Sequence, residues 1–196
     1  MKSQFWKEEM SVNILFDYIV ALTNLYGVVD KEKVIEIYNM QNEDKMDVSD
    51  VESVLVKIDI ALCEHFVYVE GDYFVHESIF TTDEVGQLLQ RKAGKPYYVP
   101  RKEILLQYKD DEFYEETKQT KSFYRLLKKV VHPSNVNSVE DVFYDVLLGC
   151  QMEDHPIDII HDLDRIDVTF STKKQLSEAI QVIIDLSNHT RLWSNN

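Results

Sequence analysis

The sequence predicts a mainly helical protein of two modules, and three observations carry that prediction. Apolar residues recur at three-to-four spacing through most of the chain, the period of a helix with one buried face. A single stretch, residues 66–75, departs from that period, with β-branched and aromatic residues on either side of a Gly-containing turn. Hydrophobic residues make up 44% of the 196 and aromatics 11%, enough to close a core despite a net charge of −14.

Taken in order, Ile14, Leu15, Tyr18, Ile19, Leu22 and Leu25 give one apolar face to a first helix over 11–26, which Gly27 ends. Asp30 caps a second helix over 31–40, with Val34, Ile35, Ile37 and Tyr38 inward. Residues 41–45 form a polar loop. Asp47 or Ser49 opens a third helix that runs to about Glu64, with Val51, Val54, Leu55, Ile58 and Leu62 on one side. The next two segments flank Glu70-Gly71-Asp72 and read as a β-hairpin, since glycine accepts the positive φ such turns demand. Two strands alone are marginal, so the hairpin has to lean on the three helices. Three helices followed by a hairpin is a winged-helix-like order. A fourth helix, about 82–93, starts with Thr82 as its cap and stops at Gly94-Lys95-Pro96.

Tyr97-Tyr98-Val99-Pro100 is then extended, because a residue before proline is pushed out of the helical region. This connector divides the chain into an acidic winged-helix-like domain, 1–95, and a second domain, 96–196. In the second, helices follow at about 101–108, 111–131, 135–151, 156–165 and 172–188. Pro133 separates two of them, Pro156 suits a first turn, and Ser171 or Thr172 caps the last. Short connections between such helices predict an antiparallel helical bundle.

Charge argues against the ligand usual for the first module. Residues 1–80 hold six Lys+Arg against 16 Asp+Glu, a net of −10. The third helix, where a groove reader would place its cations, carries Asp50, Glu52, Asp59 and Glu64 after Asp47, against Lys57 alone. DNA affinity comes mainly from cations that displace counterions from phosphate, so a duplex is disfavoured, and a scaffold used for protein contacts or for packing on the second module is favoured. Residues 81–131 reverse the sign, with 11 basic and eight acidic side chains. Lys118, Lys121, Arg125, Lys128 and Lys129 recur at helical spacing as a cationic stripe beside Phe123 and Tyr124. Such a stripe suits RNA, where aromatics stack on bases, or an acidic protein surface. It also reads as an ordinary solvated face, with Glu112, Glu115 and Glu116 at the helix start and cations at its end matching the helix dipole.

The densest set of metal-ligating types lies in residues 153–164, where Asp158, His161 and Asp162 fall at i, i+3 and i+4 on one helix. His132, the His161-Asp162 pair and Asp185 together resemble the His, His-Asp, Asp order of HD-type metal phosphohydrolases, which implies metal-activated water. The competing reading, which the pattern favours, is an acidic exposed face with Ile157, Ile160 and Leu163 inward. Cys63 and Cys150 both sit in apolar helical contexts and read as buried free thiols. No glycine-rich phosphate loop occurs, and no apolar run approaches the ~20 residues that cross a bilayer. The start lacks an apolar signal core, so the cytoplasm is expected and a membrane partner is not.

The closing run from Asn188 through Arg191, Leu192 and Trp193 resembles the segment that precedes the zinc motif in bacterial SEC-C motif proteins, mostly of Firmicutes. Tyr97-Tyr98-Val99-Pro100, the Asp110–Tyr114 stretch and the long helix after it are similar to that group, so the resemblance covers 97–196 best. In that family it is the appended tail that is associated with protein or ribosome contacts. The zinc site of that family lies in a Cys-rich tail, and no Cys-x-Cys pair follows Trp193 here, so no zinc ligand is carried over to any residue of this chain. Arg191 and Trp193 are read either as packing the final turn onto the bundle or as functional residues. The expected function is a non-enzymatic interaction or regulatory module without a cofactor in these residues. The alternatives are an RNA- or DNA-binding regulator using 118–129, and an HD-like hydrolase using Asp158, His161 and Asp162.

Overall fold

A computed structural model of the chain describes residues 2–82, 84–132 and 134–195, and for residues 2–11 the backbone alone. The protein is mainly helical, with one small antiparallel sheet among the described residues. It divides into two compact units. The first runs to Phe113 and takes in the segment from Trp193 onward; the second is Tyr114–Leu192.

The first unit begins with α1 (Lys2–Tyr26), β1 (Val28–Asp30), α2 (Lys31–Gln41) and α3 (Val48–Glu64). The hairpin β2 (Val67–Glu70) and β3 (Tyr73–His76) follows, then α4 (Glu77–Phe80) and α5 (Val85–Lys92). After an extended stretch come α6 (Lys102–Leu105) and a 3-10 turn, Leu106–Lys109. Local chemistry accounts for most of these ends. The Asp30 carboxylate accepts from Lys33 N at 2.8 Å at the head of α2. Asp47 and Asp50 form a reciprocal capping box at α3, satisfying amide groups that the helix leaves without partners. Gly71, at φ 57°, lets the hairpin reverse in two residues.

β1 was not legible in the sequence. Three residues are too few to show alternation, and they become a strand only by pairing antiparallel with β3, Val28 opposite Val75 and Asp30 opposite Tyr73. The sheet order is β1-β3-β2. The expected single helix over 82–93 is also different. Thr82 does not cap it; its hydroxyl donates back to the carbonyls of Ser78 and Ile79 and so closes α4, while α5 starts at Val85.

α1 departs most from the simple amphipathic reading. From Tyr18 to Tyr26 every side chain except the half-buried Asn24 is buried, so this end of the helix is surrounded rather than laid on a core. The extended stretch expected to separate two modules closes one side of it. Tyr26 Oη donates to Tyr98 O at 2.8 Å, Gln41 Nε2 to Pro100 O at 2.8 Å, and Asn24 Nδ2 to Tyr108 O at 2.9 Å. The division between units accordingly falls after Phe113 and not at 95/96.

A helix end that is buried needs partners for its last carbonyls, because water cannot reach them. Gly27 N donates to Thr23 O at 2.7 Å. The indole Nε1 of Trp193 donates to Asn24 O at 3.1 Å. Lys92 Nζ donates to Tyr26 O at 2.9 Å and to Val28 O at 2.7 Å. Trp193, 1% exposed, therefore belongs to the first unit, whereas the sequence expectation assigned it to the second. Lys95 Nζ holds the same segment through Ser194 O at 2.9 Å and Asn195 Oδ1 at 2.8 Å.

The second unit contains α7 (Lys118–Val130), α8 (Val139–Met152), α9 (Pro156–Arg165) and α10 (Lys173–Ser187) around one core that includes Phe123, Leu127, Phe143, Cys150, Leu163 and Ile183. α7 starts later than the expected 111, because Thr117 and Thr120 form a capping box there. Glu112, Glu115 and Glu116 thus precede the helix instead of lining its first turn. Ser138 and Asp141 box the start of α8, and Thr172 caps α10. His155 caps α9, its Nδ1 accepting from Ile157 N at 3.3 Å. With Pro156 in the first turn, the buried residues of α9 are Ile159 and Leu163, and Ile157 is exposed. Pro133, expected between α7 and α8, lies outside the described residues. Cys150 is buried, but Cys63 is exposed, because it lies on the face of α3 turned away from Ile58 and Leu62.

Gly27 tests the buried helix end. At φ 71° it occupies the left-handed region, and a Cβ there would lie 2.5 Å from the Trp193 ring. Gly27→Ala is expected to displace Trp193 and cost about 2–4 kcal/mol, from backbone strain and lost packing together. Urea denaturation followed by tryptophan fluorescence should show an earlier midpoint and a red-shifted native emission; a native spectrum unchanged from the parent would contradict this account.

Candidate functional site

The exposed face of α3 is the first surface the sequence singled out. Val51, Val54, Leu55, Ile58 and Leu62 are buried. At 100° per residue the line opposite them runs through Ser49, Ser53, Val56, Ile60 and Cys63. All five are exposed, Val56 by 86% and Ile60 by 80%. Glu52 and Asp59 flank this uncharged line on one side; Asp50, Lys57 and Glu64 flank it on the other. Among the described side chains, three lysines from the helices and loop before α3 are engaged locally. Lys31 is buried and pairs with Glu52 at 2.7 Å, Lys33 pairs with Glu36, and Lys45 donates to the carbonyls of Asn39 and Asn42.

The second surface is on α7. Lys118, Lys121, Arg125, Lys128 and Lys129 are all exposed and fall within about 100° of arc. Thr120, Phe123, Leu126 and Leu127 occupy the opposite, buried side. Phe123 is therefore core, and only Tyr124 of the two aromatics adjoins the stripe. Its ring lies 4.5 Å from Lys128 Nζ, and its hydroxyl donates to Glu140. Lys121 pairs with Glu116 at 2.7 Å, so part of the positive charge is already answered locally.

Asp158, His161 and Asp162 are exposed on α9, and Asp162 is paired with Arg165 at 2.7 Å. His132 Nδ1 accepts from Ser134 N, and Asp185 accepts from Gln181. Among the described residues no three His, Cys, Asp or Glu side chains come together as a set that could hold a metal ion.

A cluster that the sequence reading passed over lies around the end of α1. His76 Nδ1 accepts from Ser78 N at 3.2 Å, and its ring sits 5.0 Å from that of Trp193. Burial pushes the His76 imidazolium down to about 4, with the Asp111 carboxylate pulling weakly the other way. A protonated Nδ1 would also lose the Ser78 amide. Lys92, likewise buried, is pushed down to about 7. Its two carbonyl acceptors and the ring faces of Tyr26 and Tyr97, 5.2 and 5.3 Å away, act against that shift. Arg191, by contrast, reaches Glu115 at 3.7 Å in the second unit. Nothing in local sequence marks His76, Lys92 and Trp193 as neighbours, since they are separated by long stretches of chain.

No protein-family model matches this chain, and no curated protein or solved structure matches it significantly. Among the described residues no helix is long and apolar enough to cross a membrane.

The depressed His76 value makes stability depend on acidity. Its folded value lies below the unfolded one near 6.5, so the unfolded chain binds the proton first, and stability falls as pH drops from about 6.5 towards about 4. The loss attributable to this group is up to about 3 kcal/mol. His76→Gln, which keeps an acceptor for Ser78 N, should flatten that part of the curve in urea titrations at stepped pH. An identical acid limb in the variant would assign the effect elsewhere.

Proposed function

We propose that this chain is a non-enzymatic protein-interaction module whose first unit is a winged-helix scaffold and whose second is an antiparallel helical bundle. The helix-strand-helix-helix-hairpin order and the β1-β3-β2 sheet support the scaffold reading. One observation carries the functional reading: the outer face of α3, which a groove reader would line with cations, presents Val56 and Ile60 between acidic flanks. Such a face repels phosphate and gains from covering apolar area. A cytoplasmic setting belongs to the same proposal.

Photo-crosslinking tests it. A benzophenone amino acid in place of Val56 should yield protein adducts in cells, whereas the same group in place of Asp44 should not. Adducts with nucleic acid instead would overturn the proposal.

A second reading rests on the cationic arc of α7, which suits single-stranded RNA. Five phosphate contacts would give a salt slope of about −3.5 on a log-log plot. Under this reading Lys121→Glu combined with Arg125→Glu should weaken binding to labelled single-stranded RNA strongly at low salt. Retention that is absent, or indifferent to salt and to both changes, rejects it.

A further inference from the structure

The outer face of α3 has a shape and charge order that specify more than protein contact in general. The uncharged line Ser49–Ser53–Val56–Ile60–Cys63 spans about 21 Å at 1.5 Å per residue. Its small residues, Ser49, Ser53 and Cys63, leave room on either side of the projecting Val56 and Ile60, so the line has a central ridge with low ends. An opposing helix can seat its own side chains in those low positions, as ridges and grooves do when two helices cross. Four carboxylates border the line, Glu52 and Asp59 on one side and Asp50 and Glu64 on the other, with Lys57 as the cation of this face.

From this geometry we infer that α3 docks a basic amphipathic helix of another protein, with apolar residues against Val56 and Ile60 and Arg or Lys on both borders. The inference rests on the protein-docking reading above and names the partner's chemistry. Charge complementarity selects this occupant. A second copy of the chain would set the same carboxylate borders against each other, and like charges across an interface are strongly unfavourable. An acidic or neutral helix would cover the apolar line but leave the borders unanswered. Glu52 is already shared with Lys31, so Asp59 and Glu64 are the borders best placed to gain a new partner. The apolar line is narrow, which puts the contact in the weak, transient class.

The test uses the full chain and a synthetic peptide helix, with Leu at i, i+3, i+4 and i+7 and Arg on both borders. Fluorescence anisotropy should show saturable binding that weakens with salt. Val56→Ser with Ile60→Ser should lower affinity at least about tenfold. Both residues are solvent-facing, so the fold should persist, as circular dichroism would verify. Asp59→Lys with Glu64→Lys should weaken the Arg-bordered peptide and permit binding of a Glu-bordered version. Failure of the Arg-bordered peptide to bind would overturn the inference, as would binding indifferent to the Val56 and Ile60 changes. Concentration-dependent dimers abolished by those two changes would instead make the occupant a second copy. Protein adducts from position 56 together with no peptide binding would leave the docking proposal standing and reject this partner chemistry.

Discussion

The buried C-terminal end of α1 is the constraint on which the first unit depends. An exposed helix can hand its last carbonyls to water, but from Tyr18 to Tyr26 this one is almost wholly enclosed. Its acceptors are met by groups far apart in the chain: the Gly27 amide, the Lys92 ammonium and the Trp193 indole. Aromatic rings frame these donors. Lys92 reaches the carbonyls through the ring faces of Tyr26 and Tyr97, and Trp193 lies over Gly27, where any side chain would collide. The final residues thus belong to the same unit as the first hairpin.

This arrangement places two titratable groups where charge is costly. His76 is kept neutral by burial and by accepting the Ser78 amide, and it forms one wall of the Trp193 site. Lys92 is buried too, but its acceptors compensate the ammonium directly. Burial lowers both groups, but His76 receives a hydrogen bond that only its neutral form can accept, whereas Lys92 donates two that favour its charged form. Acid therefore acts on the packing of Trp193 through His76.

The exposed helix faces divide by sign. α3 shows an apolar line between carboxylates, and α7 shows five cations opposite its buried side. Both follow from helical period alone, since the core-facing positions leave a defined set pointing outward. Many surfaces carry scattered apolar residues without consequence. Val56 and Ile60 differ in being one turn apart, almost fully exposed, and opposite the centre of the buried face. That alignment is what the docking proposal uses.

Periodicity was enough to place α2, α3, the hairpin and α9, because each has its own apolar face and a cap or turn residue beside it. Asp30, Asp47, Gly71 and Pro156 mark those ends in the sequence as they do in the fold. The cationic side of α7 and the acidic side of α3 were legible for the same reason: charge follows the helix period whatever the helix packs against. Local pattern did not reveal β1, the exposure of Cys63 and Ile157, or the membership of 97–113 in the first unit. It also sent Trp193 to the wrong core. Those features depend on which donor reaches which carbonyl across long stretches of chain, and a buried helix end chooses its partners only when the chain has folded around it.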